Sequence, residues 1–320
     1  MQNLSNILLV KTSSLGDVLH NLPVVTDILK QFPAIQIDWV VEESFAALPA
    51  LHHGVQAVIP VAIRRWRKSW WTSRDEVRAV CRDLRARHYD IALDTQGLLK
   101  SALIARCART TRCGLAWDSA REPLASLFYN RRFSVAKDQH AVERNRQLAG
   151  LALGYKPEGA PDYGILPPAL ARPVWLNGEY AVLLHATSRA DKLWSETNWI
   201  ELGRYLHEKN IRSVLPWGSD AEHSRSLRLA GAIPDAIAPP RLSLNEAAAL
   251  LGGAQAVIGV DTGLAHLAAA LGVPTVGIYT MTDPALTGLY AGRCAVNLGN
   301  INHAPDTAAV IDALQQAAVC

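Results

Sequence analysis

Short apolar runs alternate with amphipathic segments through the first half of the chain. Four of these runs, which predict buried strands, are residues 7–10, 37–41, 58–61 and 91–93. Between them, apolar residues recur at the spacing of a helix, most clearly over 18–31 and 73–86. Regular alternation of strand and helix patterns indicates a parallel β-sheet covered by helices.

A proline-rich stretch follows, and then a second series of the same kind. The strand patterns of this series are 180–185, 212–216, 256–260 and 273–279, and its helical patterns are 199–209, 247–251 and 263–271. We therefore expect two α/β domains, 1–160 and 179–320, joined by a linker at 161–178. Two such domains would form a cleft, which is a common place for ligands. An alanine-rich helix at 307–319 could pack on either domain.

Composition narrows the class of protein. The chain has 320 residues, of which 49% are hydrophobic, and a net charge of +3 that is too small to indicate a nucleic-acid partner. Its five cysteines are odd in number and show no C-x-x-C spacing, so neither a disulfide framework nor a zinc site is expected. No apolar run is long enough for a signal peptide or a membrane span. We expect a reduced cytoplasmic protein.

A small-residue loop follows the first predicted strand directly. It reads Lys-Thr-Ser-Ser-Leu-Gly-Asp over 11–17 and ends where a helical pattern begins. Ligands of open α/β sheets bind at the carboxyl ends of the strands. Asp17 is therefore either a helix N-cap or a general base. The loop matches neither G-x-x-x-x-G-K-[ST] nor G-x-G-x-x-G, which argues against a P-loop enzyme and a dehydrogenase.

A second polar segment follows the predicted strand 256–260. It supplies Asp261, Thr262, Gly263 and, one turn into the next helix, His266. A glycine at a helix N-terminus lets a phosphate approach the backbone N–H groups, and a carboxylate can hold sugar hydroxyls. The alternative is an Asp cap beside a structural histidine.

Further polar residues follow other predicted strands. Thr187, Ser188 and Lys192 follow the strand at 180–185, where they could bind a diphosphate. Glu222 follows Pro-Trp-Gly at 216–218 and could meet sugar hydroxyls, while 94–101 is a polar loop that contains Gln96 and Lys100. A basic cluster at 64–68 suits either an acidic ligand or an anionic membrane, and otherwise is a solvated loop.

Taken in order, these segments resemble the bacterial lipopolysaccharide heptosyltransferases. The matching sequences are KTSSLGD at 11–17, DTQGLLKS at 94–101, PWG with the later Glu222, and VDTGLAH at 260–266. The resemblance covers nearly the whole chain. The segments at 39–43, 59–68 and 121–130 are more specific and favour the type I branch over type II.

The resemblance implies a glycosyltransferase-B fold, in which two Rossmann-like domains face each other across a cleft. Members of this kind transfer L-glycero-D-manno-heptose from ADP-heptose to the first Kdo of Kdo2-lipid A, with inversion at the anomeric carbon. The N-terminal domain would take the acceptor and the C-terminal domain the donor. Asp17 would be the general base.

The resemblance also implies the binding residues. For the donor they are Thr187, Ser188, Lys192, Glu222, Asp261, Thr262, Gly263 and His266. For the acceptor they are Ser14, Gly16, Arg64, Arg65, Arg67, Gln96, Lys100, Arg121 and Arg144. The chain has no D-x-D sequence, so we expect no metal and no cofactor, with Lys192 and a helix N-terminus at the diphosphate instead.

Three expectations remain open at this stage. The acidic acceptor suggests that Arg64, Arg65 and Arg67 bind it, and that Trp66, Trp70 and Trp71 lie at the cytoplasmic face of the inner membrane. The chain has Thr280-Met281 where relatives commonly have Gly-Pro, so another donor preference stays possible. The alternatives are a type II enzyme and a non-catalytic nucleotide-sugar or lipid A binding protein.

Overall fold

The computed structural model describes residues 4–187 and 189–317, without the side chains of Trp70 and Arg293. The chain divides into two compact units, Met1–Gly164 and Ile165–Cys320, called the first unit and the second unit below. The division falls inside the proline-rich stretch 161–178. Among the described residues, no helix combines the length and the apolar character that crossing a membrane requires.

The described strands of the first unit form one six-stranded parallel sheet in the order β3-β2-β1-β4-β5-β6. These strands are β1 Asn6–Val10, β2 Gln36–Glu42, β3 Val55–Val61, β4 Ile91–Asp94, β5 Thr111–Leu115 and β6 Arg131–Phe133. Strand β1 is central, and Ile7–Val10 are fully buried because helices cover both faces of the sheet. The predicted parallel α/β fold is confirmed for this unit.

Seven α-helices are described in the first unit. They are α1 Leu15–Leu19, α2 Leu22–Gln31, α3 Ala47–Ala50, α4 Ile63–Lys68, α5 Trp70–Ala86, α6 Leu99–Ala105 and α7 Ala141–Leu153. Two 3₁₀ helices cover Glu43–Phe45 and Pro123–Phe128. The prediction of a single helix over 18–31 is wrong, because α1 ends at Leu19 and α2 begins at Leu22. Pro23 cannot donate to the carbonyl of Leu19, so a continuous helix would lose that hydrogen bond.

The described strands of the second unit form a five-stranded parallel sheet in the order β11-β10-β9-β7-β8. They are β7 Tyr180–Leu184, β8 Arg212–Val214, β9 Ala256–Val260, β10 Thr275–Tyr279 and β11 Ala295–Gly299. Strands β7, β9 and β10 are buried along their whole length. The predicted parallel α/β fold is confirmed here too.

Helices and two 3₁₀ turns cover this second sheet. They are α8 Glu196–Glu208, α9 Asp220–Ala232, α10 Leu244–Gly252, α11 Gly263–Ala270, α12 Pro284–Thr287 and α13 Thr307–Ala317, with the 3₁₀ turns Ala190–Lys192 and Gly292–Cys294. The sequence left open which domain the C-terminal helix packs on. In the structure α13 packs on the second unit, against β10, β11 and α8.

The strand orders determine where ligands can bind. In the first unit the chain runs outward from β1 through β2 to β3 and then returns to the other side of β1 at β4. In the second unit the same change of direction separates β7 from β9. Loops that leave neighbouring strands on opposite sides of such a switch point part from each other and open a crevice. Each sheet therefore has one such position, at the ends of β1 and β4 and at the ends of β7 and β9.

The cysteines differ from expectation. Cys81 on α5 and Cys107 after α6 form a disulfide, with their Cα atoms 5.0 Å apart. The expectation that no disulfide forms is therefore wrong. The two residues are 26 positions apart in sequence, and only the packing of the folded chain brings them together.

Candidate active site

The carboxylate of Asp17 lies in the first turn of α1, at the switch point of the first sheet. Ser14, and not Asp17, is the N-cap residue of this helix. The Oδ2 atom of Asp17 accepts hydrogen bonds from Ser14 N at 2.8 Å and from Ser14 Oγ at 3.1 Å. Asp17 thus occupies the third helical position and bonds back to the cap, as the acidic residue of a capping box does. The interpretation of Asp17 as the N-cap is corrected accordingly.

The side chain of Gln96 holds the loop that leads to Asp17. Gln96 follows β4, and its Oε1 accepts from Thr12 N at 2.6 Å, Thr12 Oγ1 at 3.0 Å and Ser13 N at 3.2 Å. Its Nε2 donates to the carbonyl oxygen of Ser13. Both ends of the Gln96 amide are therefore bound to the loop at 12–13. The structure shows Gln96 positioning the backbone before Asp17, and its acceptor-binding role stays a prediction.

A buried lysine lies beneath the same loop. The Lys11 Nζ donates to Thr95 O at 2.9 Å and to Asn145 Oδ1 at 3.3 Å. Burial lowers the pKa of the Lys11 ammonium, and the negative charges of Asp17 and Asp94 oppose this shift. Lys11 and Asn145 were missed as site residues by sequence reasoning, although Lys11 begins the motif. An amide on α7 has no local signal that connects it to a loop far earlier in the chain.

Asp94, the last residue of β4, is a further buried member of this cluster. Its carboxylate accepts from Gln96 N at 2.8 Å and from the hydroxyl of Tyr129 at 2.8 Å. Complete burial raises the pKa of Asp94, and these hydrogen bonds oppose the shift. Asp94 thereby fixes the turn that aims Gln96 at the first loop.

Several predicted acceptor residues place positive charge around the loop. Lys100 Nζ donates to Ser13 Oγ at 2.8 Å. Burial lowers the pKa of Lys100, and the nearby cations of Arg64 and Arg67 add to this lowering. The structure therefore brings these three cations into one electrostatic neighbourhood on the first unit.

Arg121 and Arg144 lie within electrostatic range of Lys11, whose pKa they lower further after the larger effect of burial. Arg144 Nη2 donates to Ser119 O at 2.8 Å, and burial lowers its pKa. Gly16 is the second residue of α1. Asp17, Arg121 and Arg144 therefore all lie within electrostatic range of the buried Lys11.

Two residues of the basic cluster at 64–68, Arg65 and Trp66, bond to acidic side chains of the first unit. Arg65 bonds to Glu76 at 2.8 Å and to Glu43 at 3.3 Å. Trp66 is buried, and its Nε1 donates to Glu76 Oε2 at 2.9 Å. Both side chains fasten α4 to its surroundings. The burial of Trp66 contradicts its predicted place at a membrane. The ion pairs of Arg65, whose side chain is 51% exposed, compete with its acceptor role, which stays a prediction. Trp71 is 76% exposed, with Arg74 over its ring.

In the second unit, the switch point carries an ion pair. Lys192, the last residue of the 3₁₀ turn after β7, contacts Asp261, the first residue after β9. The Lys192 Nζ to Asp261 Oδ2 distance is 2.6 Å, and both side chains are 16% exposed. The hydroxyl of Thr282, in the loop after β10, donates to the same Oδ2 at 2.9 Å. Thr282 was not among the predicted site residues. Its position at the end of a strand next to β9 was the signal available.

The remaining predicted donor residues surround this pair. Thr187 Oγ1 donates to Asp261 O at 3.0 Å. Thr262 is the N-cap residue of α11 and Gly263 is its first residue. His266, in the first turn of α11, has Nε2 at 4.0 Å from Asp261 Oδ1. Ser188 lies outside the described residues.

Glu222 is the third residue of α9, the helix that follows β8. Its Oε2 accepts from Gly218 N at 2.7 Å, and Ser219 is the N-cap residue of α9. The ring of Trp217 stacks on His223 with 4.0 Å between centroids, and Trp217 Nε1 donates to Pro239 O at 2.8 Å. Glu222 therefore lies in the first turn of α9 and bonds back to the backbone of the loop that follows β8.

Comparison with known proteins identifies the family. The family model for glycosyltransferase family 9 (heptosyltransferase) matches residues 77–314. Lipopolysaccharide heptosyltransferase 1 of Escherichia coli K12 is 49% identical over 306 residues, which cover 92% of this chain and 96% of that protein. The chain belongs to glycosyltransferase family 9. The predicted enzyme class, a glycosyltransferase that transfers heptose, is confirmed.

Solved structures of this family agree with the fold. The E. coli heptosyltransferase WaaC with ADP has a TM-score of 0.90 and 45% identity, and the match covers 98% of this chain and 99% of that chain. The same enzyme with ADP-2-deoxy-2-fluoro heptose has a TM-score of 0.86, 44% identity and coverage of 97% and 99%. The predicted glycosyltransferase-B class is thereby confirmed.

Proposed function

We propose that this heptosyltransferase moves L-glycero-D-manno-heptose from ADP-heptose to the first Kdo of Kdo2-lipid A, with inversion at the anomeric carbon. The observation that carries the proposal is the pair of switch-point clusters, one with Asp17 among cations and one with Lys192 beside a helix N-terminus. They occur in a chain 49% identical to lipopolysaccharide heptosyltransferase 1 of E. coli. The ADP-heptose analogue bound to WaaC supports the choice of donor.

Asp17 acts as the general base in this mechanism. Its two hydrogen bonds from Ser14 both reach Oδ2, so we assign Oδ1 as the atom that takes the proton from the Kdo hydroxyl. The hydroxyl oxygen then forms a bond to the anomeric carbon of heptose. The bond from that carbon to the diphosphate oxygen breaks on the opposite side, and ADP leaves. One displacement of this kind inverts the configuration.

The departing diphosphate gains negative charge, and the second unit supplies the groups that stabilise it. Lys192 would turn from Asp261 to the phosphate oxygens, while the N–H groups of Thr262 and Gly263 and the α11 dipole favour an anion there. Thr187 and Ser188 would add hydroxyl donors. Asp261, His266 and Glu222 would bind hydroxyls of the heptose and the ribose.

The acidic acceptor fits the charges of the first unit. Kdo carboxylates and lipid A phosphates would meet Arg64, Arg67, Lys100, Arg121 and Arg144, with Ser14 and Gly16 near the reacting hydroxyl. Because this acceptor is a membrane lipid, we place the enzyme at the cytoplasmic face of the inner membrane. The exposed Trp71 and the basic end of α4 are candidate contacts with that surface.

A type II enzyme, which adds the second heptose, is the remaining alternative. Structural similarity does not decide between the types, because E. coli heptosyltransferase II matches with a TM-score of 0.74 at 21% identity, which shows the fold alone. The 49% identity to a type 1 enzyme favours the first heptose. A non-catalytic binding protein is disfavoured by membership of a transferase family.

The test is acceptor-dependent release of ADP by the purified protein. ADP-heptose is supplied with O-deacylated Kdo2-lipid A, with the same acceptor already carrying one heptose, or with no acceptor. Release only with the unheptosylated acceptor supports the proposal, and release only with the heptosylated acceptor supports type II. An inactive wild-type protein that binds ADP-heptose would contradict the acceptor assignment.

A further inference from the structure

The loop after β10 contacts the candidate donor residues through two threonines. Thr280 follows β10 directly and is only 8% exposed. Its Oγ1 donates to the carbonyl oxygen of Asp191 at 3.2 Å. Asp191 is the residue before Lys192, in the 3₁₀ turn Ala190–Lys192.

The second threonine of this loop bonds to a side chain. Thr282 Oγ1 donates to Asp261 Oδ2 at 2.9 Å, and the same oxygen accepts from Lys192 Nζ at 2.6 Å. The loop therefore contacts both sides of the ion pair. Thr280 bonds to the backbone next to Lys192, and Thr282 bonds to the carboxylate of Asp261.

We infer that the loop after β10 is a positioning element of the donor site. In it, the Thr280 hydroxyl fixes the backbone of the Lys192 turn, and the Thr282 hydroxyl fixes the Asp261 carboxylate. This inference rests on the proposed donor, a nucleoside diphosphate sugar, and names the residues that prepare the site for it.

The arrangement has a use when the diphosphate binds. Phosphate oxygens compete with Asp261 for the Lys192 ammonium. When Lys192 leaves, the Asp261 carboxylate loses one of the hydrogen bonds that orient it. The Thr282 bond keeps Asp261 oriented while Lys192 moves to the diphosphate. The Thr280 bond keeps the lysine turn in place, so that Nζ changes partner without a rearrangement of the backbone.

The backbone of the loop is itself anchored. Asn302 N donates to Thr280 O at 2.8 Å, and the Asp283 carboxylate caps α12 through Ala285 N at 2.8 Å. Trp194 Nε1 donates to Pro305 O at 2.8 Å, which ties the chain beyond Lys192 to the segment after β11. The two threonines therefore project from a segment that is held on both sides.

The experiment measures ADP affinity by calorimetry and the KM for ADP-heptose. Thr280→Val and Thr282→Val keep the side-chain shape and remove the hydroxyl. We expect each to weaken ADP binding and raise the donor KM by about 3- to 10-fold, the range of one hydrogen bond. The serine variants Thr280→Ser and Thr282→Ser should recover most of the loss, and the acceptor KM should not change.

A matched control lies at the other end of the same strand. Thr275 Oγ1 donates to Val273 O at 2.7 Å, so Thr275→Val also removes a buried hydroxyl bond to a carbonyl. It should leave ADP affinity unchanged. In a Lys192→Met background, Thr280→Val should cause no further loss, because its effect acts through Lys192.

Three outcomes overturn the inference. The first is unchanged ADP affinity in both folded valine variants. The second is a loss of ADP affinity from Thr280→Val that is as large in the Lys192→Met background as in the wild type. A wild-type protein that does not bind ADP contradicts the proposed donor, and with it this inference. If Thr280→Val fails to fold, the half-buried Thr282 and its serine variant carry the same test.

Discussion

The two switch-point clusters hold their carboxylates by different means. Asp17 is bonded by the backbone and hydroxyl of Ser14, and the loop before it is held by the neutral amide of Gln96. Asp261 is bonded by the charged Lys192 and by the hydroxyl of Thr282. One carboxylate is thus held by neutral groups, whereas the other forms an ion pair with a cation.

This difference fits two separate tasks. A general base must keep its own geometry while a substrate hydroxyl approaches, and the hydrogen bonds from Ser14 provide that geometry without a cation bonded to the carboxylate. A site for a diphosphate needs a cation that can change partners. The pair of Lys192 and Asp261, whose side chains are both 16% exposed, can open when an anion arrives, because exchange of one anionic partner for another avoids leaving the ammonium unpaired.

The largest effect should come from Asp17. We expect Asp17→Asn to lower kcat by about 10²- to 10⁴-fold, because the amide cannot take the proton, with little change in donor KM. ADP release measures both. Asp90→Asn is the control, since Asp90 also accepts backbone N–H bonds, from Ser5 at 2.7 Å and Asn6 at 2.9 Å, at the opposite end of β1. Equal loss in both variants would make Asp17 a structural residue.

Lys192 should give the next largest effect, and on binding. Lys192→Met removes the cation that would meet the diphosphate, so the Kd for ADP should rise by about 10- to 100-fold. Lys209→Met is a matched control in the same unit, where Lys209 lies over the ring of Tyr205 at 5.7 Å. Wild-type affinity in Lys192→Met would refute the proposed change of partner.

Gln96 tests whether the neutral clamp matters to the reaction. Gln96→Leu leaves the N–H groups of Thr12 and Ser13 without their partner, so we expect kcat to fall by about tenfold while ADP affinity is kept. Gln96→Glu still offers oxygens to both N–H groups and should fall between Leu and wild type. An acceptor KM that rises with unchanged kcat would instead indicate that Gln96 contacts the acceptor directly.

The smallest effect should be on the acceptor KM, and it should distinguish Arg67 from Arg65. Arg67→Ala should raise the acceptor KM by about two- to fivefold, the size of a solvent-exposed charge contact. Arg65→Ala should leave the acceptor KM unchanged and lower thermal stability slightly, because Arg65 pairs with Glu43 and Glu76. Steady-state kinetics and thermal unfolding of both variants check this. Reversed results would return Arg65 to the acceptor site.

The sequence predicted those features that depend on local pattern. Apolar runs such as 7–10 and 256–260 predicted buried strands, and the helical pattern at 247–251 lies within α10. The positions of Asp17 and Asp261 after buried strands placed both at the carboxyl ends of strands. These features follow from period, burial and strand-end chemistry, which are all encoded in neighbouring residues.

Features that depend on distant partners were not predictable in this way. The bond of Gln96 to the loop at 12–13, the contact of Lys11 with Asn145 and the pairing of Cys81 with Cys107 each join segments well separated in sequence. The basic run at 64–68 has the composition of a binding patch. Only the fold shows that Glu76 bonds to both Arg65 and Trp66.

The most direct test of the two separate tasks is calorimetric binding of ADP-2-deoxy-2-fluoro heptose to the wild type, Asp17→Asn and Asp261→Asn. The account predicts that Asp17→Asn binds this donor analogue as the wild type does, although its turnover is lost, and that Asp261→Asn binds it much more weakly. Loss of binding in Asp17→Asn, or wild-type binding in Asp261→Asn, would contradict the account.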